Sequence, residues 1–264
     1  MVVLITGISS GFGLETARLL SQEGHTVYGT VRREVEPLPQ VHYLKVDVRD
    51  PEAVKEAVSQ VIHQEGRIDV LVNNAGMGIG GPLEFATEEE VREQMDANFM
   101  GLVHFVKAVL PYMRKQGSGK IIALSSIGGL MGLPFQGFYS ASKFAIEGYC
   151  EALRLETRKM GITVVVVRPG DFSTSFTASR KKTANEEALK AYKTYAESMG
   201  KIEHDETGGL KPQVLAQKIS KIIRKKNPRH GYVVASFEQR LSVFLKRILP
   251  AKWFALILGS YYKL

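Results

Sequence analysis

Seven short β-branched runs alternate with longer amphipathic stretches along this chain of 264 residues, and that alternation restricts the fold more than any other feature. The runs are Val2–Thr6, Thr26–Thr30, Val41–Val46, Ile68–Val72, Lys120–Ser125, Ile162–Val167 and Tyr232–Ala235. Helical patterns lie between them, at roughly 12–23, 51–65, 87–115, 138–160 and 212–226. Thr87-x-x-Glu90 is a capping-box signature at the start of the third. Val164-Val165-Val166-Val167 has no polar alternation, as expected of a strand buried on both faces. Strand–helix alternation implies right-handed crossovers and an α/β fold: a doubly wound parallel sheet of about seven strands with helices on both faces. No repeat, low-complexity tract or linker interrupts the pattern, so residues 1–264 are expected to form one domain.

Composition removes several alternatives. Hydrophobic residues are 44% and charged residues 23%, as in globular proteins, which excludes a disordered tail, a collagen or a coiled coil. The single cysteine, Cys150, cannot form an intrachain disulfide, and no zinc knuckle is expected. No metal site is expected either. Met1 leads directly into Val2-Val3-Leu4-Ile5 without a basic targeting segment, and the uncharged run Ile121–Ser142 is too polar for a bilayer span. A cytoplasmic location is the expectation. The net charge of +8 divides into −3 for residues 1–175 and +11 for residues 176–264. The basic third is read as a solvated face; a polyanion or a membrane surface is the sharper alternative. It has neither a nucleic-acid module nor interleaved aromatics, so no nucleic-acid partner is expected.

Thr6-Gly7-Ile8-Ser9-Ser10-Gly11-Phe12-Gly13 joins the first strand to the first helix. Glycines there let the backbone approach a pyrophosphate, and the N–H groups of the helix start face the anion. The spacing is G-x-x-x-G-x-G rather than G-x-G-x-x-G. Gly7–Gly11 also fits the G-x-S-x-G nucleophile elbow of hydrolases. That reading of Ser9 fails because no earlier strand–helix loop exists to donate to an oxyanion. Gly117-Ser118-Gly119-Lys120 fails as a P-loop, since Arg114 and Ile121 occupy required glycine and hydroxyl positions. The second strand runs into Arg32 and Arg33, with no carboxylate before Glu34. Arginine forks suit a ribose 2′-phosphate, which favours NADP(H) over NAD(H).

Tyr139-Ser140-Ala141-Ser142-Lys143 puts a phenol and an ammonium on one helix face. A phenol titrates near 10, and a neighbouring cation lowers it, so the pair is a candidate acid/base. Ser126 lies at the end of the fifth strand and Asn98 within a helix. Asn73-Asn74-Ala75-Gly76 and Pro169-Gly170 follow the fourth and sixth strands.

This set resembles the short-chain dehydrogenase/reductase family, in its single-domain branch and its hydroxysteroid- and retinol-type members. The matching pieces cover residues 1–175 in family order. The resemblance implies a Rossmann-like sheet and an NADP(H)-dependent oxidoreductase interconverting a secondary alcohol and a carbonyl. It implies Tyr139 as general acid/base and Ser126 as the group polarising the same oxygen. Lys143 would lower the tyrosine pKa and hold the nicotinamide ribose. Asn98 would keep a water in line with Lys143. Cofactor contacts are expected from Gly7, Ser9, Ser10, Gly11, Phe12, Gly13, Arg32, Arg33, Asp47 and Val48. Further contacts are expected from Asn73, Ala75, Gly76, Tyr139, Lys143, Pro169, Gly170 and Thr174. Within that set the resemblance puts Asp47 by the adenine, Asn73 by the adenosine ribose and Thr174 by the carboxamide. One departure stands out: many NADP-using relatives carry a second basic residue where this chain has Ser10. A cofactor-binding regulator or scaffold without activity is the alternative on the same fold, although Tyr139 and Lys143 are both kept.

Met131, Leu133, Phe135, Phe138, Phe172 and Phe176, with Met77 and Ile79 opposite, are expected to wall an apolar pocket for a steroid-, retinoid- or lipid-like substrate. Residues 171–210 are expected to be a substrate loop or lid. Residues 237–264 form an apolar extension in which Leu241, Phe244, Leu245, Ile248 and Leu249 make one helical stripe. Buried core, a pocket cap or a subunit contact is the expected use of that stripe, and weak peripheral membrane contact the alternative. The long helices 87–115 and 138–160 resemble the pair through which relatives dimerise, which implies a homodimer or homotetramer.

Overall fold

The computed structural model describes residues 1–183 and 185–264; Ala184, within the expected lid span, lies outside the described residues. The strands are β1 (Val2–Ile5), β2 (Thr26–Val31), β3 (Val41–Lys45), β4 (Val70–Asn73), β5 (Ile79–Gly80), β6 (Gly119–Leu124), β7 (Ile162–Pro169), β8 (Lys181–Lys182) and β9 (Gly231–Val234). Seven of them form one sheet in the order β3-β2-β1-β4-β6-β7-β9, and every pairing is parallel. The helices are α1 (Gly11–Gln22), α2 (Pro51–Glu65), α3 (Glu88–Met95), α4 (Gly101–Gln116), α5 (Gly137–Glu156), α6 (Ser175–Ser179), α7 (Glu186–Ala191), α8 (Tyr195–Thr207), α9 (Pro212–Arg224), α10 (Phe237–Ile248) and α11 (Ala251–Tyr261).

Both faces of the sheet are covered, because its strands are apolar on both. Val164 and Val166 join a core with residues of α2, α4 and α5, while Val165 and Val167 join a second core with residues of α1 and α9. The unalternating valine run therefore does what its sequence implies. Strand order reverses beside β1, between β2 and β4. Ligands of open α/β sheets bind at the carboxyl ends of such neighbouring strands.

Three expectations change. The pattern over 87–115 is not one α-helix: Asp96–Met100 forms a π-helical turn between α3 and α4. Residues 171–210 are largely helical, and β8 pairs with β5 to make a small second sheet. The stripe on α10 is not core, since α10 has no buried residue.

Gly13 fixes how α1 meets the sheet. A Cβ there would lie 2.2 Å from the Gly7 carbonyl oxygen and 2.6 Å from Asn74 Nδ2. Gly7 has a φ of 70°, in the left-handed region that glycine adopts without strain. These two positions bring the helix start onto the end of β1.

Candidate active site

A cleft of about 750 Å³ opens at the carboxyl ends of the central strands. Gly7, Ser9, Ser10, Gly11, Phe12, Arg32, Arg33, Asp47, Val48, Ala75, Gly76, Ser126, Tyr139, Lys143, Pro169, Gly170 and Thr174 line it. Gly13, Asn73 and Asn98 do not. No histidine lines it among the described residues, so Ser9 has no base beside it for hydrolytic chemistry.

Hydrogen bonds stitch β1 to β4 under the glycine turn. Thr6 Oγ1 accepts from the Asn74 and Ala75 N–H groups, both at 2.9 Å. Asn74 Nδ2 donates to the Thr6 and Gly7 carbonyls at 2.8 and 2.9 Å. Asn74, rather than Asn73, is therefore the asparagine at the cleft. Asn73 ends β4 with its side chain buried, and neither its Oδ1 nor its Nδ2 has a protein partner. Strand alternation turns these neighbouring side chains to opposite faces.

The start of α1 suits an anion. Ser10 occupies the N-cap but makes no side-chain capping bond, and the first turn has no acid. Its N–H groups are thus free for a ligand, with the positive end of the helix dipole behind them. Arg32 and Arg33 are exposed on the rim, and neither forms an ion pair among the described residues. Arg49 went unrecognised in the sequence. Its guanidinium grips Asp47, with Nη2 to Oδ2 at 2.6 Å and Nε to Oδ1 at 3.0 Å. That bond holds the Asp47 carboxyl below the usual carboxylate range.

The other end of the cleft gathers Ser126, Tyr139 and Lys143. Ser126 follows β6 in extended conformation, and its Oγ accepts from the Gly128 N–H at 3.0 Å. A Cβ on Gly128 would stand 3.4 Å from Ser126 Oγ and 3.5 Å from Tyr139 Cε1, so both side chains converge above this glycine. Lys143 Nζ is buried, donates to the Leu124 carbonyl at 2.9 Å and lies 5.7 Å from the centre of the Tyr139 ring. Burial pushes the Tyr139 phenol up to about 12, against the pull of the Ser126 hydroxyl. Burial likewise drops Lys143 to about 8. In the protein alone, burial dominates both groups. The ammonium points to a backbone carbonyl, and loss of water outweighs its charge.

Asn98 sits in the π-helical turn with all its side-chain groups in use. Its Oδ1 accepts from the Met77 N–H at 2.8 Å, and its Nδ2 donates to the Met77 carbonyl and to Ser142 Oγ, each at 3.0 Å. Ser142 Oγ in turn donates to the Tyr139 carbonyl at 2.7 Å. Gln94 adds a second amide, accepting from the Ile79 N–H and donating to the Met77 carbonyl.

Met77, Leu133, Phe172 and Phe176 wall the far end as expected, with the Phe176 ring 5.7 Å from that of Tyr139. Ile79, Met131, Phe135 and Phe138 do not line it. Phe135 packs instead against Tyr192 and Tyr195. The sequence reading missed the polar groups here: Asp171, Asp205 and Glu206 also line the cleft. Glu206 pairs with the buried Arg180, and Asp205 with Lys201 at 3.1 Å. Asp171 has no ion-pair partner among the described residues; its Oδ2 accepts from Gln239 Nε2 at 2.6 Å. Burial and the two nearby carboxylates raise Asp171 to about 7.

A cleft with a glycine cradle, an uncapped helix start and a Ser–Tyr–Lys cluster defines a nucleotide-dependent oxidoreductase site. The short chain dehydrogenase family model matches residues 1–185. The chain is 50% identical over 262 residues to 3-ketodihydrosphingosine reductase of Bacteroides thetaiotaomicron, covering 99% of this chain and 97% of that protein. A short-chain dehydrogenase structure from Streptomyces avermitilis superposes with a TM-score of 0.83 at 30% identity, covering 99% of this chain and 96% of the other. A closed form of serine dehydrogenase complexed with NADP+ gives 0.77 at 27% identity, over 90% and 96%. The chain belongs to the short-chain dehydrogenase/reductase family and is an oxidoreductase of that family, using NAD(P)(H).

Proposed function

We propose that this chain is a cytoplasmic, NADPH-dependent reductase of a long-chain ketone, with a 3-keto sphingoid base as substrate. The observation that carries the chemistry is the convergence of Ser126 and Tyr139 above Gly128 in the wall of the cleft. A protonated phenol is ready to give its proton to a carbonyl oxygen, which is the reductive direction. Ser126 donates to that same oxygen and stabilises the charge developing on it. Lys143 holds a buried positive charge beside the ring. Asn98 acts as a positioning residue through its two N–H bonds and one bond to Oδ1, and the second lone pair of Oδ1 is available to a water in line with Lys143.

The residues present fit the dinucleotide. Gly7, Ser9, Ser10, Gly11 and Phe12, with Gly13 beneath them, would cradle its pyrophosphate at the start of α1. Arg32 and Arg33 would take a 2′-phosphate, while Asp47 and Val48 would border the adenine. Ala75, Gly76, Tyr139 and Lys143 would border the nicotinamide ribose, and Pro169, Gly170 and Thr174 the carboxamide. The nicotinamide, when bound, supplies the hydride for the carbonyl carbon. Residues 1–264 work as one domain, and residues 171–210 serve as its substrate lid.

The relative's name supplies the substrate class. A 3-keto sphingoid base carries an ammonium on the carbon next to its ketone and a long alkyl chain beyond it. Phe172, Phe176 and Met77 suit the chain, and Asp171, which has no ion-pair contact among the described residues, suits the ammonium. NADPH consumption on 3-ketodihydrosphingosine, compared with the same ketone lacking the amine, tests this reading. Turnover of the amino ketone is expected to be faster, and Asp171→Asn is expected to remove about 10- to 100-fold of that preference, the worth of a hydrogen bond to a charged group. Turnover of neither ketone would instead favour a cofactor-binding protein without activity.

Helices α4 and α5 serve as the face of a homo-oligomer. Phe144 and Leu155, eleven residues apart on one side of α5, are exposed at 46% and 70%. Light scattering is expected to give a dimer or tetramer, and a monomer at all concentrations would reject this.

A further inference from the structure

Two helices outside the sheet carry a concentration of exposed apolar side chains. On α10 these are Phe237, Leu241, Phe244 and Ile248, at spacings that put them on one side. On α11 they are Trp253, Leu256, Ile257 and Tyr261, again on one side. Phe237 is 73% exposed and Trp253 61%. Arg240, Lys246, Arg247 and Lys252 stand among them, and none forms an ion pair among the described residues. Glu238 is the single acid of residues 237–264.

The same segment reaches the substrate end of the cleft. Gln239 of α10 bonds to Asp171, and Tyr262, just past α11, lines the cleft. Ser198 of α8 ties that end down by donating to the Tyr262 carbonyl at 2.6 Å. An exposed apolar surface therefore adjoins the far end of the cleft.

We propose that α10 and α11 dock on the surface of an anionic lipid bilayer. No helix among the described residues is long and apolar enough to cross a membrane, so the helices lie in the interface. Charge complementarity selects this occupant. A two-fold contact sets a patch against its own copy, which would bring like charges together. Anionic headgroups neutralise Arg240, Arg247 and Lys252, while Lys246 lies over the Phe254 ring at 5.0 Å and the apolar stripes enter the acyl boundary. Docking there sets the cleft beside the leaflet that holds long-chain ketones. The proposal is independent of which ketone is reduced.

Trp253 is the only tryptophan, so its fluorescence reports on this face alone. The full chain is titrated with phosphatidylcholine vesicles and with vesicles containing phosphatidylglycerol. Trp253 emission is expected to shift to the blue with the anionic vesicles at low salt, and the protein to float with them. Binding is expected to weaken about tenfold or more at high salt, where surface charges are screened. In a parallel flotation assay, Phe244→Glu is expected to leave the protein behind while turnover of a water-soluble ketone persists. Wild type that neither shifts nor floats at low salt overturns the proposal. So does equal binding to neutral and anionic vesicles. A dimer in light scattering that Phe244→Glu splits would assign the face to a second copy and overturn it as well.

Discussion

Replacing Tyr139 with phenylalanine is expected to reduce kcat by about 10²- to 10⁴-fold, the usual contribution of a positioned acid. The ring stays, so its packing against Phe176 stays too. Only the proton donor is lost. Neither neighbour is ready to replace it: Lys143 Nζ already donates to the Leu124 carbonyl, and the Ser126 hydroxyl lacks a base beside it among the described residues. NADPH affinity, measured by fluorescence titration, should stay within several-fold. Unchanged turnover would reject the assigned chemistry, and equal loss of binding and turnover would indicate a damaged cleft. The pH profile adds a second check. A phenol pushed up to about 12 by burial is protonated across the neutral range, so reduction should not fall between slightly acid and slightly alkaline pH through this group. A decline near neutrality would mean that bound cofactor lowers the phenol far more than the protein alone allows.

Arg32→Ala and Arg33→Ala together should weaken NADPH by roughly 10- to 100-fold per lost charged hydrogen bond and leave NADH nearly unchanged. Both side chains lie exposed on the rim without an ion pair among the described residues, and Arg32 adds only a minor pull on the Asp47 carboxyl. Arg49 cannot take over, because Asp47 occupies its fork. Ser10 offers no positive charge at the glycine turn. Since the two arginines are exposed, wild-type NADPH affinity should fall with salt, and the variant's should fall less steeply. Comparable losses for the two cofactors would remove the 2′-phosphate role.

The sheet was readable because its cause is local. Valine runs of strand length, broken by amphipathic helices, admit few arrangements, and both faces of Val164–Val167 are indeed covered. The glycine turn and the Tyr139–Lys143 pair were readable for the same reason: each lies within one turn or one helix. What escaped depends on distant partners. Asp171 and Gln239 are 68 positions apart, and no pattern near either one announces their bond. Arg180 and Glu206 meet only because residues 171–210 fold into helices. Asn74 lines the cleft and Asn73 does not, and the long-range bonds of Asn74 to Thr6 and Gly7 could not be read from the sequence. The aim of the Lys143 ammonium toward the Leu124 carbonyl could not be read from spacing either. The α10 stripe has the periodicity of a buried face, yet the chain supplies nothing to bury it.

The amide of Asn98 has a mechanical consequence. It grips both polar groups of Met77 and reaches Ser142, which bonds to the backbone of Tyr139. Two residues past Met77 the chain enters β5, whose partner strand is Lys181–Lys182. The Gln94 amide joins the same chain of bonds, accepting from the Ile79 N–H and donating to the Met77 carbonyl. The backbone of Tyr139 is thereby tied, through Ser142, Asn98 and Met77, to the strand pair Ile79–Gly80 and Lys181–Lys182, so a substitution in that small sheet has a bonded route to the helix that carries the phenol.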